Sequence, residues 1–179
     1  MSSNLVAAQD SQNLPAEDNN RSSGDVRASD VLLHMVTFSL LDEDFGLPIL
    51  DVREIIRMTD ITPVPQAPNF VEGVINLRGQ IIPVVDLRKR FGLAATDRTD
   101  DNRIVVIEVA DNVLGLIVDS VSEVLRIPSD TVSPPPSLVA NSIGSEYLKG
   151  IAHFNEKMII LIDIQRVFNK AELDDLGGM

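Results

Sequence analysis

"GVINLRGQIIPVVDLRKRF", residues 73–91, returns 77 positions later as "GIAHFNEKMIILIDIQRVF", residues 150–168. Both stretches keep a leading glycine, an apolar run, an aspartate and a final phenylalanine, but "NLRG" in the first stands where the second has "HFNE". Recurrence of a whole framework at a fixed spacing indicates an internal repeat. Within that repeat the turn is the part that has changed most.

A second pair of stretches extends the repeat upstream. "VTFSLLDEDFGLPILDVREIIR" (residues 36–57) aligns with "VVIEVADNVLGLIVDSVSEVLR" (residues 105–126) at an offset of 69. The joining loop holds 12 residues in the first copy, 58–69, and 20 in the second, 127–146, so the offset grows by 8 to reach 77. The pattern predicts a tandem duplication of a unit of about 60 to 70 residues.

Each unit is predicted to consist of short strands. "VTFSL" alternates apolar and polar residues, and the polar residues 42–44 and 111–112 are typical of a hairpin turn before a returning strand. "ILDVREIIR" and "DSVSEVLR" space their apolar residues by three and four, which is compatible with a one- or two-turn helix or with a bent strand. A Pro-rich connection then follows, "TPVPQAP" or "SPPPS", and a hairpin with an apolar return strand closes the unit.

Composition favours a mainly β fold made of two small barrels. Apolar residues make up 44% of the chain and aromatic residues only 4%, so Val, Ile and Leu must build the core. About five short strands per unit, with no long helix to cover them, leave sheet edges that closure into a barrel removes. The expected organisation is a disordered N-terminal tail (1–30), two β-barrels in tandem (31–98 and 99–168) and a C-terminal helix or tail (169–179).

Charge and terminal composition exclude several classes of protein. The formal net charge is −12, which opposes binding to nucleic acid or to anionic lipid. The N-terminal residues carry neither the basic nor the apolar region of a secretory signal, and no apolar stretch approaches the roughly 20 residues of a membrane span. The absence of cysteine fits a reducing compartment. These features predict a cytoplasmic protein that neither binds nucleic acid nor inserts into the membrane.

The sequence offers no catalytic or metal-binding constellation. The two histidines, His34 and His153, lie in separate strand-like segments and do not predict a metal pair or a Ser-His-Asp triad. No glycine-rich phosphate loop follows a strand and opens a helix. The acidic clusters at 42–44 and 97–101 lack the calcium-loop pattern. We predict a protein that is not an enzyme and that needs no cofactor and no metal.

The turn of the first hairpin holds Arg78 and Gly79. A barrel this small fills its interior with its own side chains, so partners must bind outside the barrels or between them. Glycine lets the backbone of a partner approach closely, and a guanidinium stands beside it. This combination favours a contact surface. The alternative, a solvated arginine next to a turn residue with positive φ, stays open at this level.

Four stretches carry a resemblance to a known family. "FGLPILDVREI", "FVEGVINLRGQIIPVVDLRKRFG", "GLIVDSVSEVL" and "YLKGIAHFNEKMIILIDI" resemble the bacterial chemotaxis coupling proteins, the CheW family. The resemblance runs from residue 35 to residue 168, and the N-L-R-G hairpin in its context is highly specific. It implies two SH3-like five-stranded β-barrels with short helices around a hydrophobic interface. It also implies a non-catalytic scaffold, or adaptor, in chemotaxis signal transduction.

The resemblance also implies which residues matter. Its receptor or kinase interface comprises Val52, Glu54, Arg78, Gly79, Val124 and Leu138. Its structural glycines are Gly73, Gly115 and Gly150, which are expected to hold strand or hairpin geometry. Glu54 and Arg78 are expected to pair with charges on a partner. Ser133 stands where some members of the family have arginine.

The implied partners are the regulatory domain of the chemotaxis histidine kinase CheA and the cytoplasmic hairpin tips of chemoreceptors. Rings that contain further CheW copies are also allowed. Such an adaptor would lie in the cytoplasm against membrane-anchored receptor arrays. Two alternatives stay open: the same adaptor in a non-flagellar system such as pilus-based motility, and, with less support, an SH3-like protein that binds nucleic acid.

Overall fold

The computed structural model of the protein describes residues 31–137 and 144–179. The expected N-terminal tail (1–30) and Leu138 lie outside these residues. The strands are β1 (Leu32–Leu40), β2 (Glu43–Pro48), β3 (Val52–Arg57), β4 (Val71–Leu77), β5 (Gln80–Asp86), β6 (Arg103–Val109), β7 (Asn112–Val118), β8 (Ser120–Pro128), β9 (Val132–Ser133), β10 (Leu148–Phe154) and β11 (Lys157–Ile162). The helices are α1 (Leu87–Arg90), α2 (Ile164–Val167) and α3 (Lys170–Gly177), with short 3-10 helices at Ile49–Asp51, Ser129–Thr131 and Ser145–Tyr147.

The strands form two sheets with the same internal order. One sheet has five strands in the order β3-β6-β7-β5-β4, and the other has six in the order β8-β1-β2-β11-β10-β9. Under the sequence repeat, β3 corresponds to β8, β6 to β1, β7 to β2, β5 to β11 and β4 to β10. The two sheets are therefore counterparts of each other, and the predicted mainly β fold is confirmed.

Each sheet combines strands from both copies. The five-stranded sheet takes β3, β4 and β5 from the first copy and the hairpin β6-β7 from the second. The six-stranded sheet takes the hairpin β1-β2 from the first copy and its other four strands from the second. Parallel pairing of β5 with β7 and of β2 with β11 joins the copies. A contiguous division at residues 98 and 99 therefore does not describe the pairing, because the repeat is exchanged between the sheets.

The chain that follows β3 brings together the two edges of the five-stranded sheet. Thr62 and Val74 of β4 exchange two backbone hydrogen bonds of 2.9 Å. In the six-stranded sheet, β9 follows β8 along the chain and pairs with β10. It therefore brings the two ends of that sheet together as well. The segments that the sequence left undecided between helix and strand are thus mainly extended, as β3 and β8.

Apolar side chains form three separate clusters. A small cluster fills the inner face of each sheet, around Ile75 and Ile104 in one and around Ile127 and Leu161 in the other. The largest cluster lies between the sheets and includes side chains of both copies and of all three helices. Burial of apolar surface is the main contribution to the stability of a folded protein. The two sheets are therefore held together by the core that they share.

Arg90 of α1 links the end of the first copy to the C-terminus. Its guanidinium donates hydrogen bonds of 2.6 and 2.8 Å to the Val167 carbonyl and of 2.9 Å to Glu172 of α3, and it lies 4.5 Å from the centre of the Phe70 ring. Asn169 caps α3, which buries Leu173 and Leu176 against the shared core. The C-terminal helix is therefore a packed part of the fold.

Candidate partner-binding surface

The β4-β5 turn presents Arg78 and Gly79 to solvent. Both have positive φ, 49° and 86°, as the type I′ turns favoured in two-residue hairpins require. The Asn76 side chain accepts a 2.8 Å hydrogen bond from the Gly79 N–H. An arginine is an unusual choice here, since this backbone region favours Gly and Asn. The counterpart turn in the second copy has the same shape, with Asn155 and Glu156 at φ 50° and 63°.

Arg78 is held by a bidentate ion pair with Glu54 of β3. The two guanidinium nitrogens of Arg78 donate one hydrogen bond to each carboxylate oxygen of Glu54, one of them 3.2 Å long. The Arg78 side chain is 72% exposed and that of Glu54 28%. These hydrogen bonds raise the pKa of the Arg78 guanidinium above its ordinary value. The pair fixes a cation outside the sheet, where a partner can reach it.

Gly73 is required by the way the five-stranded sheet closes. Its φ is +147°, and a Cβ at this position would lie 2.7 Å from the Thr62 carbonyl carbon. Gly150, its counterpart, would place a Cβ 2.8 Å from a Val132 methyl carbon and 2.9 Å from the Ser133 carbonyl oxygen. At both glycines, a segment from earlier in the same copy passes directly against the backbone and leaves no room for a side chain.

Comparison with known proteins adds the observation that decides the family. The CheW-like domain model matches residues 34–172. The chain belongs to the CheW family. The chemotaxis protein CheW of Treponema pallidum is 36% identical over 155 residues, which cover 84% of this chain and 91% of the relative. CheW of Klebsiella aerogenes is 35% identical over 136 residues, covering 76% and 81%.

A solved CheW structure shares the fold. The crystal structure of the scaffolding protein TtCheW from Thermoanaerobacter tengcongensis superposes with a TM-score of 0.72 at 42% identity, covering 78% of this chain and 94% of that one. Membership of the CheW family makes the chain a chemotaxis adaptor and not an enzyme. In the described parts of the chain, no group of three or more His, Cys, Asp or Glu side chains is placed to hold a metal ion. None of the helices in those parts is long and apolar enough to span a bilayer.

The other predicted CheW interface residues lie apart from Arg78. Val52 begins β3 and is partly buried against the shared core, with a bulge in the β3–β6 pairing between Val52 and Glu54. Val124 lies on β8 of the six-stranded sheet and is 53% exposed. Gly115, which the resemblance gives as a structural glycine and not as an interface residue, lies inside the five-stranded sheet, where a Cβ would lie 2.7 Å from an Ile104 methyl carbon. The structure thus brings together Glu54, Arg78 and Gly79 and places Val124 on the other sheet.

The structure adds a contact and exposed residues that the sequence did not single out. Glu54 and Arg78 pair with each other, and the Arg78 side chain stays 72% exposed. Ile81, two residues after Gly79, is 50% exposed, and its counterpart Met158 is 46% exposed. Leu50 is 94% exposed. The break in apolar-polar alternation within "GQIIPVVD" was the available signal for Ile81.

Proposed function

We propose that the protein couples the cytoplasmic hairpin tips of chemoreceptors to the regulatory domain of the histidine kinase CheA, in arrays on the cytoplasmic side of the membrane. The proposal rests on family membership and on the paired Glu54 and Arg78 at the exposed β4-β5 turn. Val52, Val124 and Leu138 are proposed as further contacts with the receptor or the kinase. Further CheW copies in rings are proposed as additional partners.

The difference between the two hairpin turns supports a binding role for the first. Both turns adopt positive φ at both central residues, so hairpin geometry alone does not require Arg78 and Gly79. A Cβ on Gly79 would meet nothing within 4 Å, and Glu156 occupies the equivalent place in the second copy. The positive φ of Gly79 already favours glycine, and the open space above it leaves the backbone of the turn accessible to a partner.

Arg78 is suited to be an anchor because it is exposed and held in place. A long arginine side chain loses conformational freedom on binding, and the bidentate contact with Glu54 removes part of that freedom beforehand. Truncation of such a residue at the centre of an interface typically costs about 2 kcal/mol or more in binding free energy. The partner surface is expected to offer an acceptor to the guanidinium and an apolar contact to Ile81.

Reconstitution of the ternary complex tests this function. Purified protein is mixed with CheA and a membrane-tethered receptor cytoplasmic fragment, and co-sedimentation and kinase activity are measured. We expect the wild-type protein to join receptor and kinase, and Arg78→Glu to lose most of that coupling. Arg53→Glu is the matched control, because Arg53 forms an exposed ion pair with Glu108 in the same sheet. Full coupling by Arg78→Glu would refute the role of the turn, and no coupling by the wild type would refute the function.

A further inference from the structure

The two sheets differ at one pair of equivalent sites. On the five-stranded sheet, the linker between the copies covers the surface formed by Asp86, Ile117 and Asp119, and leaves a cavity of only about 10 Å³. Under the repeat, these residues correspond to Asp163, Pro48 and Leu50 on the six-stranded sheet. There the equivalent surface is open, with a cavity of about 310 Å³.

The covering of the first site depends on specific contacts from the linker. Arg98 lies 3.0 Å from an Asp86 carboxylate oxygen and 3.5 Å from one of Glu72. Asn102, which is 7% exposed, donates hydrogen bonds of 3.2 and 3.3 Å to the carbonyls of Val118 and Asp119. The segment that leads into β6 is thus tied down by an arginine and an asparagine.

The open site carries charged side chains and continues into a larger groove that is mainly apolar. The groove has a volume of about 350 Å³ and shares Pro48, Leu50 and Lys149 with the smaller cavity. Leu50 is 94% exposed, Leu32 is 49% exposed and Ile49 is 37% exposed. Contiguous exposed apolar surface of this kind marks a place where another segment packs.

The chain that leads into β1 enters at the rim of this groove. Leu32 and Leu33 line it, and the Val31 carbonyl accepts a 2.9 Å hydrogen bond from Ser129 N. Thirty residues precede Val31. Arg98 lies five residues before the first residue of β6, and Arg27 lies five residues before the first residue of β1. Five extended residues span up to about 16 Å, so Arg27 can reach the open cavity.

Arg27 is the one cation of residues 25–30, which also hold Asp25 and Asp30, and it is the residue that could answer the carboxylates of the site. The cavity is lined by Asp51, Asp163 and one cation, Lys149, and Arg166 lies 3.3 Å from one carboxylate oxygen of Asp163. Burial and the neighbouring Asp163 raise the pKa of the Asp51 carboxyl, while Lys149 lowers it. A guanidinium beside the two carboxylates would relieve their repulsion. In an extended chain Asp25, two residues before Arg27, would lie on the same side and would offer Lys149 a carboxylate.

We propose that residues 25–30 dock on the six-stranded sheet as the linker docks on the five-stranded one, with Arg27 beside Asp51 and Asp163. Docking covers Leu50 and the apolar groove with the protein's own chain. This inference does not depend on the proposed coupling function, since it concerns an intramolecular contact. A second copy of the chain or a partner protein would be a different occupant.

The rate at which a thiol at position 50 reacts tests the docking. The chain has no cysteine, so Leu50→Cys introduces a single thiol into the full-length protein. We expect Arg27→Glu in this background to speed its reaction with an aromatic disulfide reagent by roughly fivefold, the effect of losing a favourable ion pair. Arg21→Glu, the same charge reversal outside the docking segment and eleven residues before β1, is expected to leave the rate unchanged.

Hydrogen exchange provides a second measurement that leaves Leu50 intact. Peptides covering residues 46–54 and 147–152 are expected to exchange faster in the Arg27→Glu variant than in the wild type, and equally in the Arg21→Glu variant and the wild type. Equal thiol rates and equal exchange in all variants would overturn the proposal. Protection that rises with protein concentration would also overturn it, because the occupant would then be a second copy.

Discussion

Arg90 and Glu172 join the end of the first copy to the C-terminal helix α3 through two hydrogen bonds of 2.9 Å. The Arg90 side chain is 13% exposed and that of Glu172 is 23% exposed. The same guanidinium donates to the Val167 carbonyl and lies against the Phe70 ring. One arginine of the first copy therefore supports the position of both C-terminal helices.

Replacement of this arginine tests its structural role. Arg90→Met keeps an apolar stem but leaves Glu172 and the Val167 carbonyl without their donor, which is expected to lower the free energy of unfolding by about 3 kcal/mol. Urea denaturation measures the loss, and hydrogen exchange at Leu173 and Leu176 is expected to show that α3 opens first. Arg53→Met, which removes an exposed ion pair, should change stability by less than about 0.5 kcal/mol. Equal losses in the two variants would contradict a special role for Arg90.

Two glycines of the N-L-R-G hairpin are expected to respond differently to substitution. Gly73→Ala places a methyl group against the Thr62 carbonyl at a positive φ, so we expect a loss of roughly 3 kcal/mol or more in unfolding free energy. Gly79→Asn puts a residue that tolerates the left-handed region into open space, and is expected to cost less than about 1 kcal/mol. Thermal and urea unfolding of both variants measure the difference. A stable Gly73→Ala protein would show that the sheet edges can separate at Thr62.

A charge swap separates the two roles of the Glu54–Arg78 pair. Glu54→Arg and Arg78→Glu each place like charges together and should slightly lower the urea midpoint, whereas the double variant restores an attractive pair and should return to the wild-type midpoint. Coupling of receptor to kinase is expected to stay low in the double variant, because a partner would meet the opposite charge at the turn. If coupling recovered with the pair, the pair would serve to hold the turn and Arg78 would not be a direct contact.

The strand content and the duplication could be predicted from sequence, but the exchange of strands could not. Alternation in "VTFSL" and the polar turns depend on local patterns that read the same in either arrangement. β3 and β8 are counterparts in the repeat and carry similar apolar patterns. The apolar pattern of β6 therefore fits either strand, although β8 belongs to its own copy and β3 to the other. The preference for β3 over β8 beside β6 is set by connections and by the shared core, which no single segment encodes.

The candidate site was predictable only in part. The N-L-R-G turn drew attention because it differs from its counterpart, and Arg78 indeed lies exposed on it. Its contact with Glu54 joins residues 24 positions apart through the bulge at the start of β3. A bulge shifts which face a side chain occupies, so alternation could not place Glu54 beside the turn. The role of Arg90 was hidden within the basic run "LRKR", residues 87–90, because charge alone does not distinguish it from its neighbours.

Cleavage between the copies tests the exchange of strands directly. Four strand pairings cross from one copy to the other, β1 with β8, β2 with β11, β3 with β6 and β5 with β7, and the shared core adds side chains of both copies. A protease site inserted between Ala95 and Thr96 lies in an exposed part of the linker. After cleavage we expect the two fragments to co-elute in size-exclusion chromatography at the position of the uncut variant and to part only in denaturant. If the copies instead formed contiguous barrels, the cut would give two fragments that elute separately, each with a folded β spectrum in circular dichroism.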